Sequence, residues 1–415
     1  MNAAIVCIGD ELMNGSTLNS NSAWIAREIS KYYDLKIKYI ETLHDDIDTI
    51  KYKLSKLLTN GCDYIFITGG LGPTHDDITK NALKFFFKSN LILEEKYYNR
   101  LISYFEKENS DIDHLKSQAQ ILECSHPIPN MIGTALGMYI ENENSSIFVM
   151  PGVPSEMKAM MKNEIIPNYI EKKCKHKIYK KVFLTSGITE SRLSNILSDL
   201  ISSNSDEFKF SFLPNYSGVK FVVLSKNRNK KKYDVLCEDI RKLIKSYCYG
   251  FDNDTLSGVV GQILISKKIT LSIAESCTGG MISKKITDIP NSSLFFKGSV
   301  VAYSNQIKEQ ILEVPRNILN KYGAVSSEVA LIMAEKIKKI FNSDIGISIT
   351  GISGPGGGSD NKPVGLVYIA AAYKEFRIVK QFNLLKDRDK NREISSNLAL
   401  NILRNIVSKK KDLHK

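Results

Sequence analysis

Short apolar segments that alternate with helical patterns constrain the fold of this 415-residue chain more than any other feature. Strand-like runs occur in its first part at 3–8, 37–43, 64–68 and 147–150. Apolar residues recur at helical spacing in the intervals 22–33 and 46–58. Strands separated by helices pair in parallel, with helices on both faces of the sheet. The sequence therefore predicts an α/β fold with a mostly parallel sheet in this region.

The same patterns divide the chain into three domains. Residues 1–170 form the first α/β domain, and residues 251–415 return to alternating strands and helices. Between them, residues 171–250 read as a small α+β domain with a hairpin turn at 214–218 (PNYSG) and no catalytic constellation. At about 100–200 residues per domain, the length suits this division.

Composition excludes several classes of protein. None of the seven cysteines forms a CxxC pair, so a zinc site or disulfide framework is not expected. No run of about 18 apolar residues is present, and the start of the chain lacks signal-peptide features, which predicts a cytoplasmic protein with no membrane partner. The net charge of +12 is dispersed over the chain, so we expect small anionic substrates rather than specific nucleic-acid binding.

Two turns in the first domain combine glycine with acidic residues directly after strands. They are GDELMNG at 9–15 and TGGLGPTHDD at 68–77. Open α/β sheets bind ligands at this edge, and glycines let backbone N–H groups approach an anion. The predicted anion contacts are Gly69, Gly70 and Gly72.

Carboxylates in the same two turns predict a divalent cation that would neutralise a pyrophosphate. The candidate ligands are Asp10, Glu11, Asp76 and Asp77. No GxxxxGK[ST] segment is present, so the chain is not a P-loop NTPase.

In the third domain, ESCTGG at 275–280 follows a predicted strand and opens a helix. A serine there could attack a carbonyl, with the oxyanion held by the backbone N–H groups of Thr278, Gly279 and Gly280. Of the six histidines only His414, at the end of the chain, lies in this domain, so a Ser-His-Asp triad is not expected.

Lysine can replace histidine as the base where desolvation lowers its pKa. We predict Ser276 as nucleophile, Lys308 as base and Tyr303 as a hydrogen-bonding relay. Cys277 is the rival nucleophile, because thiolates are reactive and a helix N-terminus lowers their pKa.

Two further segments of the third domain predict ligand contacts. A glycine-rich run follows a strand, and its residues Gly354 and Gly356 would allow close backbone approach. Arg388 and Arg392 lie one helical turn apart on one face, which suits a phosphate.

These motifs, in this order, resemble the CinA (competence/damage-inducible) family over nearly the whole chain. GDELMNG, NSNSAWIA, TGGLGPTHDDIT and MPGVPSEM resemble its molybdopterin-binding-like domain. AESCTGG, VVAYSNQIK, GAVSSEVA, TGISGPGGG, KPVGLVYIA and the arginine pair resemble its nicotinamide-nucleotide amidase domain. Leu136 stands where the family usually has proline, and Lys386-Asp387 where it usually has glycine before the first arginine.

The resemblance implies two activities and a homodimer. The C-terminal domain would deamidate nicotinamide mononucleotide at Ser276 without a cofactor, with Thr350 and the arginines contacting substrate. The N-terminal domain would hydrolyse ADP-ribose with a divalent metal (Mg, Mn or Co), and Asn21 would be among its substrate-binding residues.

Two other functions remain open from the sequence. A DNA-uptake partner would bind DNA with a steep salt dependence. A pterin-binding module of molybdenum-cofactor synthesis would bind molybdopterin, although the appended amidase-like domain argues against that function.

Overall fold

The computed structural model describes residues 1–74, 77–105, 115–174, 176–216, 218–226 and 229–408. The chain divides into two compact units, Met1–Tyr179 and Lys180–Lys415. Among the described residues, no helix combines the length and apolarity needed to cross a membrane.

The first unit contains eight strands and eight α-helices in its described ranges. The strands are β1 (Asn2–Ile8), β2 (Lys36–Leu43), β3 (Tyr64–Thr68), β4 (Leu91–Leu93), β5 (Gln120–Leu122), β6 (Ser125–Ile128), β7 (Gly137–Asn142) and β8 (Ser145–Met150). The helices are α1 (Asp10–Met13), α2 (Ser20–Ile29), α3 (Ile47–Thr59), α4 (Thr79–Phe87), α5 (Glu95–Phe105), α6 (Leu115–Gln118), α7 (Pro154–Met160) and α8 (Glu171–Lys173). A π-helical segment, Met161–Ile170, joins the last two helices.

The main sheet of this unit has the order β2-β1-β3-β8-β7-β6. Its first four strands are parallel, and β7 and β6 run antiparallel. Strands β3 and β8 are buried along their whole length, as expected for parallel strands covered on both faces. The predicted mostly parallel sheet is confirmed, and the turns after β1, β3 and β8 share one edge.

The second unit contains nine strands and eight α-helices in its described ranges. The strands are β9 (Lys180–Thr185), β10 (Phe208–Asn215), β11 (Gly218–Ser225), β12 (Cys248–Phe251), β13 (Leu271–Glu275), β14 (Phe296–Val301), β15 (Ile345–Gly351), β16 (Leu366–Tyr373) and β17 (Phe376–Asn383). The helices are α9 (Glu190–Asn204), α10 (Lys230–Leu243), α11 (Leu256–Lys267), α12 (Met281–Thr287), α13 (Asn305–Gln310), α14 (Arg316–Tyr322), α15 (Ser327–Ile340) and α16 (Arg388–Ser408).

Two sheets organise the second unit. The smaller is antiparallel with the order β10-β11-β9-β12, and Asn215 pairs with Gly218 across the predicted hairpin turn. The larger has the order β14-β13-β15-β16-β17, in which β14, β13 and β15 are parallel and β16 and β17 antiparallel. The turns after the three parallel strands therefore meet at one edge, where the predicted amidase residues lie.

Candidate active site

A sharp turn links the buried strand β13 to helix α12 and carries Ser276. Gly279 and Gly280 have φ angles of +60° and +90°, a region that residues with side chains rarely adopt. The backbone N–H of Ser276 donates to the carbonyl of Ile349 on β15 over 3.0 Å. The serine is therefore fixed to the sheet edge and is only 8% exposed.

Lys308 places its amine directly against the Ser276 hydroxyl. Its Nζ lies 3.2 Å from Oγ of Ser276 and 2.7 Å from the carbonyl oxygen of Ala302. The lysine is 1% exposed, and burial lowers its pKa to about 8 because the ammonium loses its hydration. A lysine that is readily neutral and contacts a hydroxyl can take up the hydroxyl proton.

Helix α13 holds Lys308 in this position. Ser304 caps the helix, its Oγ accepting the N–H of Ile307 over 3.2 Å. The carbonyl of Lys308 accepts the N–H of Val314 over 2.9 Å, which ties the end of the helix to the next segment. The base is thus anchored through its backbone at both ends of a short helix.

Glu275 is a buried residue of this site for which the sequence suggested no role. Its Oε1 accepts the N–H and hydroxyl of Ser283 at 2.8 and 2.6 Å, and its Oε2 accepts the N–H of Ile282 at 3.2 Å. The protein's own carboxylate therefore fills the anion-binding start of α12. In the sequence, the position of Glu275 directly before Ser276 in ESCTGG could have indicated that it belongs to the site.

Cys277 differs from its prediction. The expected effect of the helix N-terminus is outweighed by burial, which raises the pKa of the thiol to about 12, partly offset by the Ser353 hydroxyl. Its side chain belongs to the hydrophobic core of the domain. A thiol with so high a pKa is a poor source of thiolate, which favours Ser276 as nucleophile.

The turn offers fewer oxyanion donors than the sequence predicted. The Thr278 hydroxyl is buried and donates to Oε2 of Glu275 over 2.6 Å, so it cannot reach a substrate. The N–H of Gly279 donates to the Ser276 carbonyl over 3.1 Å. Within the described ranges, the backbone N–H groups of Thr278 and Gly280 have no acceptor, and they are the remaining candidates.

Tyr303 lies at the rim of the site rather than between base and nucleophile. Its side chain is 61% exposed, and its hydroxyl accepts a hydrogen bond from Nη2 of Arg388 over 3.0 Å. Among the hydrogen bonds of the described residues, none joins Tyr303 to Lys308 or Ser276. The predicted relay contact is not formed because Lys308 reaches the serine directly.

Among the described residues, neither of the two predicted arginines forms an ion pair with a carboxylate. Arg388 donates to the carbonyl of Gly354 over 2.9 Å, and Arg392 donates to the carbonyl of Thr278 over 3.1 and 3.3 Å. Two nearby acids are engaged elsewhere, since Asp387 pairs with Lys390 and Glu393 with Lys285. Both guanidiniums therefore flank the turn with positive charge suited to a phosphate.

The glycine-rich segment after β15 gives a mixed outcome. Thr350 is buried and its hydroxyl donates to the carbonyl of Ala324 over 2.8 Å, so its side chain positions a loop rather than facing a substrate. Gly354 offers its carbonyl to Arg388. Gly356 faces open space and remains a candidate for close ligand approach.

In the first unit, the turn after β3 requires its glycines for its own geometry. A Cβ on Gly69 would lie 2.1 Å from the carbonyl oxygen of Ile8, and one on Gly70 would lie 2.2 Å from Oγ1 of Thr79. A Cβ on Gly72 would likewise lie 2.5 Å from Oδ2 of Asp77. This close packing explains why all three positions are glycine. The predicted contact of these glycines with an anion remains a prediction.

Asn21 carries a buried acceptor at the same sheet edge. Its Nδ2 donates to Oγ1 of Thr68 over 3.0 Å and to the carbonyl of Gly152 over 2.7 Å. The Thr68 hydroxyl in turn donates to the carbonyl of Pro151, which fixes the orientation of the amide. Among the described residues, Oδ1 of Asn21 has no partner. An unpaired buried acceptor is costly, so a ligand donor at this position is favoured.

The carboxylates of the first unit gather around a residue that the sequence did not single out, Asp45. Burial raises its pKa, and the charges of Asp10, Glu11 and Asp77 raise it further. The backbone N–H of Asp10 donates to Oδ2 of Asp45 over 2.9 Å, and that of Asp45 donates to Oδ1 of Asp10 over 3.3 Å. The fourth predicted ligand, Asp76, lies outside the described residues.

Three family models match consecutive parts of the chain. They are the probable molybdopterin binding domain at residues 4–170, the damage-inducible protein CinA KH domain at 180–250 and the CinA C-terminal domain at 253–407. A putative competence-damage inducible protein of Caldicellulosiruptor bescii is 38% identical over 97% of this chain and 98% of its own length. The chain belongs to the CinA family.

Other CinA-family proteins are similar to the whole chain or to part of it. A CinA-like protein of Dictyoglomus thermophilum is 37% identical over 97% of this chain and 98% of its own length. A crystal structure of a CinA superfamily protein from Escherichia coli aligns at 31% identity with a TM-score of 0.35, covering 36% of this chain and 88% of that one.

The divalent metal that the CinA resemblance implies would bind at the carboxylates around Asp45. Carboxylate oxygens are suitable ligands for such an ion, and Asp45 lies in the field of three further carboxylates. In the part of the chain that the structure describes, no three His, Cys, Asp or Glu side chains converge on one point. Asp10 contacts His44, and Asp77 accepts the N–H and hydroxyl of Thr74. Carboxylate oxygens are therefore suitable ligands, but the side chains of Asp10 and Asp77 would have to rotate towards Asp45 to bind one ion together.

Lys362 is a second residue of the C-terminal domain that sequence reasoning missed. Its Nζ donates to the carbonyls of Tyr322 and Val325 at 2.6 and 2.8 Å. This contact fixes the loop whose Ala324 carbonyl accepts from Thr350. Its position at the start of KPVGLVYIA was the signal, although nothing in the sequence indicated which loop it would bind.

Proposed function

We propose that the C-terminal domain deamidates nicotinamide mononucleotide to nicotinate mononucleotide and ammonia. The contact between Nζ of Lys308 and Oγ of Ser276 carries this proposal. It joins a hydroxyl to an amine whose pKa burial has lowered to about 8, and the site contains no histidine among its described residues.

Acylation would begin with the neutral amine of Lys308. Ser276 Oγ attacks the carboxamide carbon of the pyridinium ring while its proton moves to Nζ of Lys308. The carbonyl oxygen becomes an oxyanion, which the N–H groups of Thr278 and Gly280 can stabilise. Collapse of this intermediate breaks the C–N bond, and the lysine ammonium protonates the departing amide nitrogen, which leaves as ammonia.

Deacylation would use water in the place that ammonia has left. Lys308, neutral again, removes a proton from water as the oxygen attacks the ester carbon. The second intermediate expels Ser276 Oγ, which regains its proton from Lys308, and nicotinate mononucleotide leaves. Arg388 and Arg392 would hold the substrate phosphate, since both present uncompensated charge beside the turn.

Ammonia release from nicotinamide mononucleotide tests this proposal. We expect Ser276→Ala to lower kcat by about 1000-fold or more, because the nucleophile is lost. Cys277→Ala is the matched control and should retain the rate within about threefold, since the thiol is held protonated. Full activity in Ser276→Ala, or loss in Cys277→Ala alone, would transfer the nucleophile to the cysteine.

We propose for the N-terminal domain a metal-dependent hydrolysis of ADP-ribose to AMP and ribose 5-phosphate. The carboxylates of Asp10, Glu11 and Asp77 near the half-buried Asp45 support it, because like charges close to one another favour a bound cation. When bound, the ion would neutralise the pyrophosphate. Asp45, Asp10, Glu11 and Asp77 would hold the ion, and Oδ1 of Asn21 would accept a substrate hydroxyl.

AMP release from ADP-ribose with added magnesium or manganese tests this second proposal. Asp45→Asn should abolish the metal-stimulated rate, whereas Asp46→Asn, which changes the adjacent helix cap, should leave it intact. A chelator should stop this reaction and leave deamidation by the same preparation unchanged. Equal loss of both reactions on chelation would contradict the assignment of separate chemistries.

A further inference from the structure

A cavity lies within the Lys180–Lys415 unit, between the small antiparallel sheet and the C-terminal domain. Its volume is about 770 Å³, within the range of roughly 300–1000 Å³ typical of small-molecule sites. The cavity is lined by the C-terminal half of α16, whereas the proposed amidase site uses the first turn of that helix. Arg392 and Arg404 are separated by about 18 Å at about 1.5 Å per residue.

Apolar and aromatic side chains form one wall of this cavity. Phe376, Ile378 and Phe382 come from the edge strand β17, and Leu398, Ile402 and Ile406 come from α16. Tyr247 adds a third ring from the opposite domain. Such a wall suits a flat apolar group, because aromatic faces pack favourably against planar rings.

The polar residues of the cavity carry charge of one sign. Lys245, Lys380 and Arg404 line it, and none of the described lining residues is acidic. Arg404 is only 7% exposed, and burial lowers its pKa, as expected for a cation placed away from carboxylates. A cavity with three cations and no anion is complementary to a negatively charged ligand.

Arg404 is held rigidly but its charge is not neutralised. Its guanidinium donates to the carbonyls of Ser246 and Cys248 and to the amide oxygens of Asn401 and Asn405, at 3.0–3.1 Å. These four bonds leave one of its five N–H donors over. Burying a cation among uncharged groups is costly, and the C-terminal end of α16 offsets only part of that cost. A ligand anion would supply the missing charge.

We propose that this cavity binds a small organic anion that contains a planar aromatic ring. The ring lies against Phe376 and Phe382, and a phosphate, carboxylate or sulfonate faces Lys245, Lys380 and Arg404. Binding here is independent of the proposed deamidation, so either proposal can fail without the other.

The fluorescent dye 1-anilinonaphthalene-8-sulfonate is a suitable probe, and N-phenyl-1-naphthylamine is its counterpart without the sulfonate. Both are titrated into the full chain. The test protein carries Lys245→Glu and Lys380→Glu, two exposed positions at which charge reversal should not disturb folding. The control is Lys297→Glu, an exposed lysine on β14, the opposite edge strand of the same sheet.

We expect one saturable site for the anionic dye, whose Kd rises at least about tenfold in the double variant and less than about twofold in Lys297→Glu. The neutral dye should bind all three proteins equally, and deamidation should be unchanged. An unchanged Kd in the double variant, or an equal loss for both dyes, would overturn the proposal. The proposal would also be overturned if the wild type binds no anionic dye and the double variant sediments as a monomer where the wild type sediments as a dimer. The cavity would then be an interface between two copies of the chain.

Discussion

Among the described residues, each unit of the molecule contains one lysine that is buried and whose pKa burial lowers to about 8. Lys80 lies at the start of α4 in the first unit and is 7% exposed, and Lys308 lies in α13 of the second and is 1% exposed. Desolvation disfavours the charged amine in both places. By its pKa alone, either residue would qualify as a general base.

Their partners separate the two lysines. Among the described residues, Nζ of Lys80 donates hydrogen bonds to the carbonyls of Ser117 and Gln118, which stabilise an ammonium but have no proton to give. Nζ of Lys308 contacts one carbonyl and the hydroxyl of Ser276. A lowered pKa therefore identifies a general base only where the amine also contacts a group that can give up a proton, such as the Ser276 hydroxyl. Lys80 lacks such a contact among the described residues, and we therefore interpret it as a structural residue.

Replacing each lysine by methionine gives the largest expected difference. Lys308→Met should lower kcat for deamidation by about 1000-fold or more, because the nucleophile loses its base. Lys80→Met removes a buried amine of similar pKa and should leave deamidation within about twofold. Ammonia release measures both, and circular dichroism checks that each variant is folded. Equal losses in the two folded variants would remove the distinction.

The charge around the two lysines also differs, and phosphate recognition tests this difference. Asp77 lies near Lys80, whereas Arg388 and Arg392 flank the turn beside Lys308. Arg392→Ala should raise KM for nicotinamide mononucleotide about 10- to 100-fold, because hydrogen bonds to charged groups contribute about 1.5–3 kcal/mol. The kcat should change little.

Two controls accompany the Arg392→Ala measurement. Arg377→Ala removes an arginine of β17 that pairs with Glu335 of α15, and this variant should leave KM unchanged. The substrate nicotinamide riboside lacks the phosphate, so its slower deamidation should be the same in wild type and Arg392→Ala. If Arg392→Ala slows both substrates equally, the arginine supports the turn through Thr278 and does not recognise phosphate.

The fold and the Ser276–Lys308 pair were accessible from sequence because both depend on local patterns. Alternating strands and helices fix the parallel sheets, and the ends of parallel strands bring Ser276 and the segment before Lys308 to one edge. The hairpin at Asn215 and Gly218 follows from its turn residues alone. In each case the residue types within a short segment are sufficient to predict the strand, helix or turn that this segment forms.

The remaining features depend on the directions of side chains, which spacing does not define. Thr278 and Tyr303 stand in the predicted motifs, yet one hydroxyl turns to Glu275 and the other to Arg388. Burial outweighs the helix end at Cys277 because the residue points into the core. Asp45 joins the carboxylate cluster from a neighbouring loop, a contact set only by the packing of β2 against β1.

The pH dependence of deamidation sharpens the comparison in wild-type protein. The proposed base acts only when neutral, and the pKa of Lys308 is about 8, below the ordinary value of 10.5. As pH falls below about 8, kcat/KM should fall by about tenfold per unit, and above about 8 it should level off. The substrate phosphate, with a second pKa of about 6, remains a dianion over most of this range.

The two methionine variants assign this inflection to one lysine. Lys80→Met should keep the wild-type profile, because its amine does not take part in the reaction. The residual rate of Lys308→Met should lose the inflection near pH 8, since no titrating base remains beside Ser276. An inflection that persists in Lys308→Met, or a flat wild-type profile from pH 6 to about 9, would mean that another group accepts the serine proton.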